Sequence, residues 1–266
     1  MKKLTVISLG AGVQSSTMAL MANDGLIDPM PTCAIFADTQ NEPKYIYEYL
    51  EYLKGILKFP VYTVTKGNIK EDMLKPTTGG YTFPTAPFYT LKNGKKGMVM
   101  RQCTNDYKIQ VIRKKIRDLL GLKRYQHVKK DMFVEQWIGI STDEIARKKP
   151  ARDKFITNRW PLLEETMNRQ DCIDWMKEHG YKMPEKSACN MCPFHDVKYW
   201  ANLKKSHPEE FADAVDTDTK VRNLGRDKDA ELFIHKTCKP LSEVKFDTEE
   251  DQLDMFDNAC EGMCGV

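Results

Sequence analysis

Two stretches concentrate the reactive side chains: Arg101-Gln102-Cys103-Thr104 and Ser187-Ala188-Cys189-Asn190-Met191-Cys192-Pro193-Phe194-His195. A Cys-x-x-Cys pair offers two thiolates from one turn to a single centre. Taken alone, Cys189 and Cys192 suit zinc, an iron–sulfur cluster or a redox dithiol. Two more thiolates complete a four-ligand set, with Cys103 the first candidate and Cys172 the nearest in sequence for the fourth. Cys33, in an apolar run, reads as a small core residue, His195 reads as an ordinary surface histidine, and Cys238 has no assignable chemistry. Cys260 and Cys264 form a separate pair in Cys260-Glu261-Gly262-Met263-Cys264.

A second chemical signal lies in Ser8-Leu9-Gly10-Ala11-Gly12-Val13-Gln14-Ser15-Ser16-Thr17, where a strand hands over to a helix. Small residues let the backbone close around an anion, and the helix start offers unpaired N–H groups and a positive dipole end. No Gly-Lys-Ser/Thr follows, and Ser15 occupies the third position of a G-x-G-x-x-G pattern, so neither a Walker loop nor a dinucleotide fingerprint is present. Phosphate binding is the favoured reading of this loop, and an ordinary serine-capped turn is the alternative.

These groups need positioning elements, and the sequence supplies them. Leu4–Leu9, Cys33–Ala37 and Val61–Val64 read as buried strands. Ser15–Asn23 and a helix opening near Pro43, with Ile46, Tyr49, Leu50 and Leu53 on one face, alternate with them. That rhythm predicts βαβ units and an α/β fold with a Rossmann-like parallel sheet flanked by helices. From Pro76 to Met100 turn formers interrupt the pattern, with a hairpin expected across Asn93-Gly94. Residues 76–102 therefore read as a lid-like insertion. Ile109, Ile112, Ile116 and Leu119 then mark a helix, Phe133–Ile140 a strand, and 169–179 and 196–206 two further helices. The expected organisation is one α/β domain over 1–200, with a helical portion and an acidic tail over 201–266.

Composition narrows the classes. The chain has 266 residues, 41% hydrophobic and 30% charged, enough for one core of ordinary size. No apolar run is long enough for a bilayer, and the first residues lack the stretch a secretory signal needs, which predicts a cytoplasmic protein with no membrane partner. Eight cysteines in such a chain point to metal or redox chemistry over a disulfide framework. The net charge of +3 hides an asymmetry, because residues 241–266 carry eight acids against Lys245 alone. The rest is basic, which suits phosphate-bearing ligands. On the helix after Cys103, Lys108 is followed by Arg113, Lys114, Lys115, Arg117, Lys123 and Arg124. They read as a solvated face that would track a nucleic-acid backbone if several point one way. Asp143, Glu144 and Arg147 follow a strand end, where open α/β sheets present ligand-binding residues. A carboxylate there can hold Mg²⁺ against phosphates or pair with Arg147.

The loop resembles the pyrophosphate-binding loop of the PP-loop superfamily, the adenine-nucleotide α-hydrolases, whose usual form is Ser-x-Ser-Gly-Gly-x-Asp-Ser. Ser8, Gly12 and Ser15 match it, while Gly10, Ala11 and Gln14 depart from it. Phe36-Ala37-Asp38-Thr39-Gln40-Asn41-Glu42, Ile138-Gly139-Ile140-Ser141-Thr142-Asp143-Glu144-Ile145-Ala146-Arg147 and the 101–108 and 186–195 blocks are similar, in order and spacing, to the phosphoadenosine phosphosulfate (PAPS) reductase family within it. The likeness runs from about residue 4 to 200.

The resemblance implies an adenine nucleotide (ATP, APS or PAPS) held by Ser8, Gly10, Gly12, Gln14, Ser15, Ser16, Asp38, Thr39, Asp143 and Arg147. It favours a [4Fe–4S] cluster on Cys103, Cys189 and Cys192, with Cys172 as fourth ligand or one iron left open. It also implies that Lys108 lies near substrate phosphate or the cluster. A Cys264 thiolate, with Cys260 resolving it, would attack a sulfonate sulfur and be recycled by a thioredoxin-like reductant. Two activities follow: reduction of PAPS or APS to sulfite, or ATP-dependent sulfur transfer to an acceptor such as a nucleic-acid base. The different-class alternative is a non-catalytic nucleotide sensor or nucleic-acid-binding module with a structural zinc. Gln14 in place of the loop aspartate keeps it open.

Overall fold

The computed structural model describes residues 2–75 and 85–246. β1 (Lys2–Leu9), α1 (Val13–Asn23), β2 (Cys33–Asp38), α2 (Lys44–Ile56), β3 (Val61–Thr65) and α3 (Ile69–Leu74) open the chain. β4 (Tyr89–Lys92) and β5 (Lys95–Met98) form a hairpin, and a π-helical segment, Thr104–Ile109, runs into α4 (Gln110–Leu119). β6 (Met132–Ile138), a 3-10 segment Thr142–Arg147, β7 (Ile156–Arg159), α5 (Pro161–Glu164) and α6 (Arg169–Glu178) follow. α7 (Val197–Ser206), α8 (Pro208–Val221), β8 (Glu231–Phe233) and a 3-10 turn Leu241–Glu243 complete the described part.

Five strands pair in the order β3-β2-β1-β6-β7, every pair parallel. The apolar runs that mark β1 and β2 are buried on both faces, as parallel strands require. Ile7, Leu9, Ala34 and Phe36 join one core beneath α1, α2 and α6, while Leu4, Val6, Cys33 and Ile35 join a second beneath α4. The strand order reverses between β1 and β6, which opens a crevice at their carboxyl ends, the usual ligand position in such sheets. Gly139, just past β6, is the tight point of that crevice: a Cβ there would lie 2.8 Å from the backbone N and Cα of Ser15. Only glycine lets the 139–141 turn sit against the start of α1.

A smaller antiparallel sheet, β5-β4-β8, includes the expected hairpin, whose Asn93 and Gly94 both take positive φ (49° and 74°). That is the combination a two-residue turn between twisted strands favours. This sheet, α3, α7 and α8 enclose a third core containing Phe88, Tyr107, Met191, Trp200, Leu203 and Ile234. Two expectations change here. Residues 85–102 are not a free-standing lid: Phe88 is fully buried and β4 is the centre of the second sheet, while 76–84 lie outside the described residues. The boundary expected at residue 200 falls inside α7, because the third core draws on both 69–107 and 191–241. Among the described residues no helix is long and apolar enough to cross a membrane.

Candidate functional site

The loop after β1 is organised by its own small side chains. Gly12 caps α1, Ala11 takes a left-handed φ of 56°, and the Gly10 N–H donates to Ser15 Oγ at 3.1 Å. Ala11 thus occupies, at some backbone cost, a conformation natural to glycine. Ser8 is enclosed on β1 between β2 and β6. Ser16 is enclosed on α1 beside the Tyr49 hydroxyl, which makes it a packing residue of the first core. Gln14 is buried: its amide donates to Ser141 Oγ (3.4 Å), and its carbonyl accepts from Arg169 Nη1 (3.1 Å). The side chain that replaces the loop aspartate therefore ties α1 to the turn after β6 and to α6.

The second cysteine stretch leans directly on this loop. Ser187 Oγ donates to the Gly10 carbonyl at 2.5 Å, and the Asn190 N–H donates to the Asn41 carbonyl at 2.9 Å. Cys189 Sγ lies 3.1 Å from Thr39 Oγ1 and 3.7 Å from Glu42 Oε1. The same carboxylate oxygen accepts from Thr39 (3.2 Å) and faces Lys108 Nζ (3.4 Å). Glu42 is 1% exposed in its side chain, and its Oε2 has no hydrogen-bond donor among the described residues. Cys103 sits close enough for its charge to act on Cys189, and Arg101 stacks over the Phe194 ring at 5.5 Å, joining the two stretches. Burial, then the Glu42 carboxylate, push the Cys189 thiol well above its ordinary pKa, with Lys108 acting the other way.

His195 corrects the surface reading. It is 7% exposed, stacked on Tyr199 at 3.5 Å between ring centres, and Nε2 donates to the Cys189 carbonyl at 2.8 Å. Burial, followed by the Lys186 charge, lowers its pKa to about 3, so the ring is neutral and holds the Cys189–Cys192 turn as a fixed donor. The Cys192 N–H closes that turn on the Cys189 carbonyl at 3.0 Å.

Cys172 is not brought to these thiols. It is fully buried on α6 in the first core, its carbonyl facing Thr17, and burial raises its thiol to about 12. Cys33 is likewise enclosed in the sheet core, raised by burial to about 11. Cys238 lies near β4, with Sγ 3.9 Å from the Thr90 carbonyl. Cys260 and Cys264 lie outside the described residues. Asp38 accepts from Gln40 N (2.7 Å) and Tyr47 OH (2.8 Å), which caps the end of β2. Asp143 accepts from Arg169 N (3.0 Å), while Arg147 pairs with Glu144 rather than with Asp143. Arg147 Nε and Nη2 are enclosed without an acceptor among the described residues. Enclosed donors of that kind suit an anionic group in the crevice.

Glu42, Ser187, Ser141 and Arg169 were not singled out by sequence reasoning, although each falls within or beside a quoted motif. Their roles arise from chain crossings that motif spacing does not encode. Among the described residues, no three His, Cys, Asp or Glu side chains surround a point closely enough for a single metal ion. The donor chemistry at Cys103, Cys189 and Cys192, three thiols outside any disulfide with a buried cation beside them, is nevertheless of the kind that holds iron–sulfur centres.

The fold and this crevice define a Rossmann-like α/β protein with a small-residue loop and a thiol–carboxylate–ammonium cluster at the sheet's switch point. No protein-family model and no curated protein match the sequence. The solved structures similar to the chain include two enzymes. The phosphoadenylyl-sulfate (PAPS) reductase of Candida auris in its phosphate complex is 11% identical, with 70% of this chain and 76% of that chain covered and a TM-score of 0.40. The U34-tRNA thiolase NcsA of Methanococcus maripaludis with its [4Fe-4S] cluster is 18% identical, with 81% and 70% covered and a TM-score of 0.38.

Proposed function

We propose that this chain is a PAPS-reductase-like PP-loop enzyme of sulfur chemistry, whose leading reaction is ATP-dependent sulfur transfer to an acceptor such as a nucleic-acid base. The observation that carries the reading is the Ser187–Gly10 hydrogen bond, which sets the Cys189–Cys192 turn against the anion-type loop. The nucleotide's phosphates would meet the loop and the start of α1, and the enclosed Arg147 donors, on the segment after β6, are candidates for a further contact. An acceptor oxygen would attack the α-phosphorus and expel pyrophosphate, then a sulfur nucleophile would replace that oxygen and release AMP.

Cys103, Cys189 and Cys192 would hold a [4Fe–4S] cluster, which when bound supplies a site for sulfur or electrons. Around it, Lys108 supplies positive charge, Glu42 orients Lys108 and Thr39, and His195 fixes the turn. The alternative of a structural zinc in a non-catalytic module is separated by metal analysis of anaerobically purified protein. Iron with acid-labile sulfide supports the cluster, and stoichiometric zinc alone rejects it. Ser187→Ala should weaken both nucleotide binding and cluster retention; loss of neither would sink the reading.

Sulfonucleotide reduction is the second reading, favoured by the Cys260 and Cys264 pair in the sequence. Unchanged sulfite release from PAPS by the Cys260→Ser/Cys264→Ser chain would remove those thiols from the chemistry.

A further inference from the structure

The face of the sheet opposite α1 carries two adjoining cavities that the crevice chemistry does not use. The smaller, about 200 Å³, lies between α4 and the 149–153 segment, with Arg113, Lys149 and Arg152 on its wall. The larger, about 860 Å³, shares Gln110, Arg113 and Asp153 with it and continues past Lys114, Arg117, Lys123 and Arg124 to Tyr125. Seven Lys and Arg line the pair against two carboxylates, Asp118 and Asp153, and Arg113 already pairs with Asp153. The groove thus carries an excess of positive charge in a chain whose whole net charge is +3.

At the far end, Tyr125 is 82% exposed, under the Arg124 guanidinium at 4.9 Å from its ring centre, on a backbone with φ of 64°. A bulky residue in the left-handed region is uncommon and marks a strained presentation. At the near end, Arg152 Nη1 donates to Asn105 Oδ1 (3.2 Å), so the groove wall is joined to the π-helical segment that carries Lys108.

We infer that this groove binds the phosphate backbone of a nucleic-acid strand, leading it along α4 to the Lys108 end of the crevice, with Tyr125 a stacking platform for an unpaired base. The inference rests on the reading of a nucleic-acid base as sulfur acceptor. A row of cations along a recessed path, ending in an exposed aromatic, is the pattern of single-strand recognition, in which charge follows the backbone and the ring meets a base. Anionic membrane is a poorer match, because apart from Tyr125 the rim offers no large exposed apolar group for insertion.

The test is fluorescence anisotropy of the full chain with a short labelled RNA strand, titrated at several salt concentrations without nucleotide. The logarithm of affinity should fall linearly with the logarithm of salt, with a slope of about −3 or steeper for five phosphates neutralised. Lys114→Ala/Lys123→Ala/Arg124→Ala should flatten that slope by about two and weaken binding at least tenfold near 0.1 M salt. Tyr125→Ala should weaken single-strand binding roughly tenfold and leave the slope unchanged. Lys54→Ala/Lys177→Ala/Lys182→Ala, three exchanges across the sheet, should bind like the parent; unchanged thermal midpoints are the folding check.

Parent-like binding by the groove variant, equal loss in the control, or equally effective competition by polyglutamate would overturn the proposal. The two readings separate cleanly. Lys108→Met should keep RNA affinity while losing sulfur transfer, and RNA binding without any sulfur transfer by the parent would leave the groove standing and reject the proposed reaction.

Discussion

Glu42 is a carboxylate taken almost wholly out of water, and three different groups converge on one of its oxygens. Removing its charge while keeping its shape should make Cys189 easier to ionise, since the carboxylate is the largest electrostatic cause of the raised thiol pKa. In metal-free protein at a fixed, mildly alkaline pH, Glu42→Gln should therefore increase the rate of Cys189 alkylation severalfold, and Lys108→Met should decrease it. Peptide mass spectrometry after iodoacetamide treatment reads both, and a slower Glu42→Gln would contradict the assigned electrostatics. At this scale the sequence was a good guide to which side chains carry chemistry and a poor guide to their company. Cys189, Thr39 and Lys108 stand out by motif and do meet. Cys172 stands out equally and lies in another core, because nearness in sequence carries no information about which side of a sheet a helix covers. Gln14 looks like a lost carboxylate in sequence and proves to be a buried tie between three elements.

Elements with a strong period were legible almost to their ends: β1, β2, α2, α4 and β6 each carry an apolar face long enough to declare itself. β8 has three residues, and α8 buries only Ala214, Thr217, Asp218 and Val221, too sparse and too polar a stripe to register. The close contact of Gly139 with α1 is an element-scale constraint that no single-residue pattern signals. Gly139→Ala forces a Cβ into the Ser15 backbone, and overpacking of this kind costs about 1–3 kcal/mol. Chemical denaturation should register that loss, and nucleotide affinity should fall with it because the same contact sets the loop.

The turn held by His195 adds a pH dependence. In the folded chain its pKa is about 3 against an ordinary 6.5, so between these values the unfolded chain binds more protons and stability rises with pH. Acidification through that window should cost up to about 1.4 kcal/mol per pH unit. Urea midpoints followed across it should show a markedly flatter profile for His195→Gln; parallel profiles would assign the acid sensitivity elsewhere.

Across the whole molecule, the third core is fastened by one buried aspartate. Asp218 accepts from Ile234 N (2.8 Å) and Leu241 N (3.0 Å) and pairs with Arg222, which holds α8, β8 and the 3-10 turn near residue 241 together. Asp218→Ala leaves two enclosed N–H groups and a guanidinium without their partner, a loss of about 3 kcal/mol or more. Calorimetry should show a lower thermal midpoint, and limited proteolysis should then cut first between α8 and the 3-10 turn. The Ser187–Gly10 contact has a different consequence, in time. It joins positions 177 apart in the chain, and β1 gains its partner β6 only after more than a hundred intervening residues. During synthesis the small-residue loop therefore emerges long before the thiols that complete it. The loop cannot meet the thiol turn until residue 192 of the 266 has left the exit tunnel, which makes this contact a late event in folding.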